Sequence, residues 1–536
     1  MLPEIERQHG SGNFHQMNHR RWLLALLLAG GIQLSACDVL DEGGGASAGS
    51  DGGGPVGGTD DPPDDPPDGP PDDPPDDPPD DTGGTIQAIA DISTDQANDL
   101  RGLSYARDGK IYVAGHRGTV NGLRRTVVGR FNADGSPDSS FGVQGFASVN
   151  VELFSDERSV AVVELAGGDV LVAINVEEPR SGQSVYLLRF NASGTQLTAP
   201  DWGDRAGKVE VVFGWENEDN NRYPGPAWPE DTAWDMQLDR GAGERVVLFG
   251  SGPAPSGSGR SDQDRYVVRL DATDGSPDPA FNGGEPFSYH SARELADDQR
   301  RGLVEPDGSI VSAGYTNFGD DRRQHLVLIK LTAAGELDAT FGNIVVPAAT
   351  ATEFGLEPRP GIAILNPFSA DGGSATSVAV AGQRNGSYVT TGFGAATGDG
   401  IASTLGYATT IAPDLVSFRL GGSSVDTSWG TGGTRVVQSE GSGHPTDEDR
   451  GWDLVALADD RTVHVGRYGG NPAVFVLTAE GVLDHRVNGN GIIELDDPDI
   501  EAPLFSAALS ADGTRIAAST ETDARGARLV VLAVQD

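Results

Sequence analysis

The stretch Asp108–Val151 reads D-G-K-I-Y-V-A-G-H-R-G-T-V-N-G-L-R-R-T-V-V-G-R-F-N-A-D-G-S-P-D-S-S-F-G-V-Q-G-F-A-S-V-N-V. Its apolar runs Ile111–Gly115, Val127–Phe131 and Phe146–Val151 are separated by turn chemistry, and a fourth run, Leu103–Tyr105, precedes them. Alternating β-branched residues bounded by Gly, Asn, Asp and Ser read as short strands joined by tight turns. The same four-part unit recurs to the C-terminus.

Second-strand runs recur at Ile111–Gly115, Val170–Ile174, Val246–Gly250, Ile310–Gly314, Tyr388–Gly392, Thr462–Gly466 and Thr514–Ser519. Their spacing is uneven, about 67 residues on average, so the length variation belongs to loops. Asp108-Gly109, Gly167-Gly168, Asp307-Gly308, Asn385-Gly386 and Asp512-Gly513 precede them, pairs suited to positive φ. Third strands end Arg130-Phe131, Arg189-Phe190, Arg269-Leu270, Lys330-Leu331 and Arg419-Leu420. Fourth strands are expected at Phe146–Val151, Val209–Phe213, Ile344–Val346, Arg435–Val437 and Ile492–Leu495.

The connection between third and fourth strands is the most regular part. It is D-G-S-P-D-S-S-F-G at Asp134–Gly142 and D-G-S-P-D-P-A-F at Asp274–Phe281. Looser copies are L-D-A-T-F-G at Leu337–Gly342 and V-D-T-S-W-G at Val425–Gly430. This pattern resembles the bacterial delta-60 repeat over residues 99–536. The match weakens in the second repeat, where Asp201-Trp202-Gly203 survives, and in the sixth, where Val487 replaces the aromatic. The resemblance implies a β-propeller-like repeat protein of the cell envelope and carries no activity with it. From the residues themselves, the Asp of D-x-x-F-G is suited to an Asx-turn, and the aromatic to plugging the seam between sheets. A weaker reading makes Asn132, Asp134 and Asp138 part of a calcium loop, although the bidentate carboxylate that would finish it is missing. No other cofactor is indicated.

Six repeats carry four strands. The seventh (Phe505–Ser510, Thr514–Ser519, Arg528–Val534) stops after three, and Thr85–Ile92 is an orphan strand ahead of the first. Donating that strand to the last repeat would close a ring and remove exposed edges. The expected fold is therefore all-β, a seven-bladed β-propeller closed by an N-terminal strand. Repeats fall at about 99–151, 157–213, 231–291, 298–350, 372–438, 449–498 and 503–536, the last completed by residues 85–92. The Trp-Asp pairs at 234–235 and 452–453 open first strands, which is not the WD40 arrangement.

Ahead of this body, Arg20 and Arg21 precede an apolar run, Trp22–Ile32, too short for the ~20 residues of a bilayer span and suited to a signal peptide. Leu34-Ser35-Ala36-Cys37 resembles the bacterial lipobox, so residues 1–36 are expected as a signal, with Met17 as the true start, and Cys37 as the lipidated residue. Residues 37–84 form a linker, first Gly/Ser-rich, then D-D-P-P units over 60–81. Fixed φ and repelling carboxylates make the latter an extended stalk of about 70 Å at ~3.1 Å per residue. The expected address is the envelope, lipid-anchored on the periplasmic or extracellular side.

The formal charge is -42. Residues 1–85 hold 17 acidic and 3 basic residues, which leaves 63 acidic against 35 basic on the body. Nucleic acid is thereby excluded as a partner, because phosphate binding needs clustered Lys and Arg, and such a charge favours a soluble monomer. With Cys37 the single cysteine, disulfides and thiol catalysis are excluded within the chain. Six of the nine histidines lie in the repeat body (His116, His290, His325, His444, His464, His485) and form no H-x-H or H-E-x-x-H pairing.

The second-to-third and inter-blade loops share one face, and the insertions fall there: Gly214–Glu230, Ser251–Arg265, Ala351–Gly373 and Phe393–Pro413. Variable loops on a regular scaffold commonly carry binding. Candidate residues on that face are Trp215, Tyr223 and Trp228, together with Asp156-Glu157-Arg158, Asp297-Asp298-Arg300-Arg301 and Glu448-Asp449-Arg450, placed just before the innermost strands. These acid–arginine clusters would either ring the channel mouth or pair neighbouring blades, and the second reading is preferred. The function expected is a binding or scaffold module without catalysis, taking a protein or glycan partner. The competing reading is a hydrolase-like lipoprotein enzyme, cation-dependent or not, with its site at the channel mouth.

Overall fold

The structure, a computed structural model, describes residues 86–94, 99–118, 123–151, 155–178, 182–214, 231–241, 243–255, 258, 260, 262–291, 297–318, 323–346, 359–368, 373–395, 414–439, 449–495, 502–520 and 526–534. All lie in one compact unit, Asp77–Asp536. Cys37, the signal and nearly all of the linker fall outside the described residues, as do Trp215, Tyr223, Trp228 and Glu448.

Seven sheets, antiparallel but for one added strand in the fourth, stand in a ring, the arrangement of a seven-bladed β-propeller. Blade 1 is Asp99–Tyr105, Ile111–Gly118, Arg124–Phe131 and Phe146–Val149, paired in chain order, and blades 2, 3 and 6 repeat that order. The first strands line the axis, each touching the first strands of both neighbours, and that of blade 7 (Leu504–Leu509) meets that of blade 1. Every hydrophobic cluster among the described residues spans two adjacent blades. Val172 and Leu188 of blade 2 pack with Tyr112 and Phe141 of blade 1, and Leu504 and Val530 of blade 7 with Val465 and Val487 of blade 6. The core is thus divided into seams, each wedge-shaped sheet burying its faces against its neighbours at ~25 cal/mol per Å² of apolar surface.

Ring closure follows the expected plan. Strand Ile86–Thr94 pairs antiparallel with the last strand, Ala527–Val534, from Ile86 opposite Val534 to Thr94 opposite Ala527. It runs two residues past the expected end at Ile92. The strand that begins the propeller in sequence therefore completes the blade that ends it.

The third-to-fourth connections set each blade's lower end. Asp138 Oδ1 accepts the Ser140 amide at 3.0 Å, and Asp278, Asp338, Asp426 and Asp484 do the same two residues on. The following aromatic is buried at the seam, as are Phe141, Phe281, Phe341 and Trp429. Four of these connections also dock on the next: Gly142 donates to the Ser193 carbonyl, Asn282 to Ala334, Gly342 to Gly422 and Gly430 to Glu480. Arg130 joins both roles, holding Asp138 (2.7 Å) and the Ala192 carbonyl of blade 2 (2.8 Å). Asn132 and Asp134, offered as calcium ligands, instead bond Ser136, and Asp138 is committed to Arg130, Lys110 and Ser140.

Blade 4 departs from the expectation. Its fourth strand is Ile362–Leu365, not Ile344–Val346; the latter lies outside it as an added parallel strand. The two runs are equally apolar, and glycine decides between them. Gly145 (φ +89°) opens the fourth strand of blade 1, with its carbonyl accepting from Arg130, and Gly361 (φ +86°) does this for blade 4 through Lys330. Residues 362–365 are therefore part of a blade rather than of the inter-blade insertion Ala351–Gly373.

Candidate functional site

Each first strand takes an extra residue or two where it lines the axis. The register against the second strand slips at Leu100-Arg101, Val160, Trp234, Arg300-Arg301, Trp452 and Phe505. Blade 5 makes the equivalent break between Ser374–Ala375 and Ala379–Gly382, bridged by the Thr376 and Val378 amides. A bulge bends a strand and re-aims its side chains. The bulged residues, a Trp in blades 3 and 6 and different in the others, consequently meet one another around the axis.

Arg301 is the centre of this group. Its Nη2 donates to the Phe505 carbonyl (3.0 Å) and to Ser506 Oγ (2.6 Å) of blade 7, and its Nη1 lies 3.5 Å from Asp453 of blade 6. Its own amide donates to Val378 of blade 5 (2.9 Å). Asp453 accepts the Ala507 amide at 2.8 Å, and Asp235 of blade 3 accepts the Gly302 amide at 3.1 Å. Ser506 bonds the Arg101 carbonyl of blade 1. Aromatic rings pave the rest: Phe393, Trp452 and Phe505 form a row with centroids 5.5 and 5.4 Å apart. Guanidinium groups lie over these faces, Arg450 on Phe393 and both Arg101 and Arg301 on Phe505, while Arg300 covers Trp234 at 3.9 Å. The axis is thus tied across by side chains rather than left as an open bore at this level.

The acid–arginine clusters prove to be parts of the innermost strands or of the residue directly before them, not of free loops. Asp156 pairs with Arg124 of blade 1. Glu157, fully buried, accepts the Thr126 (3.0 Å) and Val151 (2.7 Å) amides and faces Arg125, and Arg158 lies close enough to lower the pKa of His116. Asp297 accepts the Ser291 amide and hydroxyl (both 2.8 Å), and Asp298 lies beside Tyr315, whose hydroxyl accepts from Arg300. Asp449 accepts the Ser439 (2.6 Å) and Gly469 (2.7 Å) amides, and Arg450 turns to Phe393. These acids fasten the end of one blade to the start of the next; only Arg301, with Arg450 and Arg300 at its flanks, reaches the axis. Asp235, Trp234, Trp452, Asp453 and Phe505 are not among the residues expected at the site, although the two Trp-Asp pairs in the sequence contain four of them.

Burial pushes Asp453 up to about 6, against Arg301 and the Ala507 amide, with Asp235 pushing the same way. Burial likewise raises Asp297 to about 7, against its bonds to Ser291 and Thr316. His116 is lowered to about 3 by burial and by Arg124, Arg158 and Arg101, and His464 to about 3 by burial alone. Both imidazoles are therefore neutral at ordinary pH. No three His, Cys, Asp or Glu side chains converge as a metal-binding group among the described residues.

On the opposite face, a shallow cleft of roughly 500 Å³ sits on blade 6, lined by Asp459, Arg461, Glu480, Val482, Asp484 and Arg486 among others. It coincides with the blade whose third strand has Val476 where Arg130 stands in blade 1. There Arg461 and Arg486 hold Asp484 in its place.

One family, described as a domain of unknown function (DUF5122) beta-propeller, matches residues 106–141 and 305–341, in blades 1 and 4. No curated protein matches. Among solved structures, the chain is similar to a protein of unknown function from Dyadobacter fermentans at 9% identity, covering 84% of this chain and 99% of that one, with a TM-score of 0.38. It is also similar to an alpha-L-arabinanase from Penicillium chrysogenum (12%, 70% and 92%, 0.38) and to the β-propeller domain of the Trilobed protease from Pyrococcus furiosus (7%, 81% and 95%, 0.36).

Proposed function

We propose that this chain is a lipid-anchored, delta-60-type propeller of the bacterial envelope. In this reading it holds a protein or glycan partner on the face bearing the second-to-third and inter-blade connections, and works without catalysis. The observation that carries the reading is the tied axis. Arg301 spans from blade 4 to blades 6 and 7, and the aromatic faces around it are already covered by arginines and by one another. The strand ends that bracket the longest insertions, Ala395 with Asp414 and Val211 with Thr232, open on the proposed binding face. Turns on the other face are committed to the next blade. The lipobox at Cys37 and the Asp/Pro stalk support an anchored module held off the membrane.

Residues 85–536, purified, should be titrated with a lysine-rich peptide and with neutral oligosaccharides, and assayed on chromogenic ester, glycoside and peptide substrates. A cationic partner would bind in a salt-sensitive way, since exposed charge attraction is screened beyond ~10 Å at 0.1 M salt. A glycan would be nearly indifferent to salt and lose affinity with Trp228→Ala. Cys37→Ser in the whole chain should release it from the membrane fraction. The enzyme reading draws on one observation, the raised carboxyl of Asp453 beside Asp235. Turnover that disappears in Asp453→Asn would put that reading in place of this one.

A further inference from the structure

We infer that Gly83 and Gly84, just ahead of the closing strand Ile86–Thr94, dock on the lower connection of blade 6 and fill the seat that the next blade's turn fills in the other seams. The inference concerns the ring alone and holds whether or not the opposite face binds a partner.

The seat is defined by its occupied examples. In blades 1, 3, 4 and 5 the residue after the seam aromatic donates its amide to the turn that follows the next blade's third strand, from 2.7 Å (Gly430 to Glu480) to 3.2 Å (Gly342 to Gly422). In blade 2 the bond to that turn comes from Arg189 instead, to the Thr273 carbonyl of blade 3 at 3.2 Å. Asn488 stands at this place in blade 6, directly after Val487, and its φ of +51° matches Gly142 and Gly430, both at +56°. Its amide meets no acceptor among the described residues. Val476 also leaves blade 6 without the arginine that reaches across to the next turn from blades 1, 2 and 5. An N–H placed like four others that are bonded calls for a carbonyl there.

The seat admits glycine. The docked turns set Gly194, Gly335 and Gly481 on it, at φ of +80 to +81°. A Cβ at Gly335 would come 2.9 Å from the Asn282 nitrogen, and one at Gly481 2.4 Å from the Trp429 ring. In blades 1, 2, 3, 4 and 6 the glycine stands two residues ahead of the one that bridges back to the third strand. The pairs are Gly135 and Pro137, Gly194 and Gln196, Gly275 and Pro277, Gly335 and Leu337, and Gly481 and Leu483. In blade 7 the last residue of the third strand, Val534, pairs with Ile86, and two residues ahead of Ile86 is Gly84. Val534 packs against the cluster that holds Val476 and Val487, so the chain enters blade 7 at the seam it shares with blade 6. Gly84 then lies against Val487, and the Gly83 carbonyl accepts the Asn488 amide. Gln535 and Asp536, which follow Val534, offer no glycine for this place.

The test uses the whole chain with Cys37→Ser, so that introduced cysteines are the only ones. Thr82→Cys with His485→Cys puts one thiol beside the docked glycines and one on the blade 6 connection. Thr82→Cys with Val143→Cys moves the second thiol to an exposed residue of blade 1, on the other side of blade 7. A disulfide needs Cα atoms within about 7 Å, so under mild oxidation the first pair should close within the chain about tenfold faster than the second. Equal rates would overturn the docking, and so would dimers from the first pair, which would assign the seat to a second copy. Hydrogen exchange at Asn488 reads the same contact without cysteines. It should be about tenfold slower in the wild-type chain than in Gly84→Val, with Gly142 unchanged. Protection that survives Gly84→Val and disappears when Gln535 and Asp536 are removed would give the seat to those residues and overturn the proposal.

Discussion

The two ends of each blade are built on opposite plans. At the lower end the same chemistry returns, an aspartate closing a turn, an aromatic or valine in the seam, and usually a basic residue holding the aspartate. At the axis the bulges vary from blade to blade: Leu100-Arg101, Val160, Arg300-Arg301 and Phe505 all differ, and Trp234 and Trp452 alone match among these. The contrast has a geometric cause. In blades 1, 3, 4 and 5 the lower connection docks on its counterpart in the next blade, so one solution serves those seams. Around the axis, residues from several blades meet at once, and each must complement a different set of neighbours.

The closing strand gives the largest test of the ring on which both plans depend. Deleting residues 86–94 strips the last strand of blade 7 and exposes Ala527–Val534 as an edge. A loss on the order of 10 kcal/mol is expected, enough to erase ordinary domain stability. Deleting 43–81 should leave the thermal midpoint unchanged, and scanning calorimetry of the two deletions checks both.

Within the lower plan, Phe141→Ala empties a fully buried seam position and should cost about 3–5 kcal/mol in denaturant unfolding. Val487→Ala, at the matching place in blade 6, should cost about 1–2 kcal/mol, since fewer buried methylenes are removed. Equal losses would mean that the seams do not share one construction.

At the axis, Arg301→Ala takes the counter-charge from buried Asp453 and a donor from the Phe505 carbonyl and should cost about 3 kcal/mol. Arg301→Met, which keeps the volume over Phe505, should recover part of that loss. Smaller again, Asp138→Ala removes the acceptor shared by Arg130, Lys110 and Ser140 and should cost about 2 kcal/mol. The bonds to Ser140, Lys110 and Arg130 outweigh desolvation and hold Asp138 below the usual carboxylate range, so this contribution fades as pH falls below about 4 and is complete above it. The Asp138→Ala deficit should therefore shrink in acid.

The same contrast explains what could be read from the sequence. The lower ends were legible because their interactions are local: Asp138 acts on Ser140 and Arg130, and the D-x-x-F-G words stand contiguous in the chain. Closure was legible as well, from an orphan strand and a three-strand repeat. The axis was not, because Arg301 meets Phe505 and Ser506 across 204 and 205 residues, and nothing near Arg301 announces them. Blade 4 misled because Ile344–Val346 and Ile362–Leu365 are equally good strands, and Gly361 is separated from the F-G it belongs with by an insertion. The acid–arginine clusters were recognised as pairing devices, yet their main partners, backbone amides such as Val151 and Ser439, leave no mark in a side-chain pattern.

The division of labour we propose is that the ring is held by its lower connections and its axis, while the opposite loops serve a partner. It is tested most directly by replacing residues 395–413 with an Asn-Gly turn, so that Gly394 and Asp414, already paired, become a tight hairpin. The measurement is the thermal midpoint. The account predicts one cooperative transition within about 2 °C of the wild type, since shortening a loop changes stability only slightly. A fall as large as that of Phe141→Ala would contradict it, by showing that this loop is part of what holds the ring together.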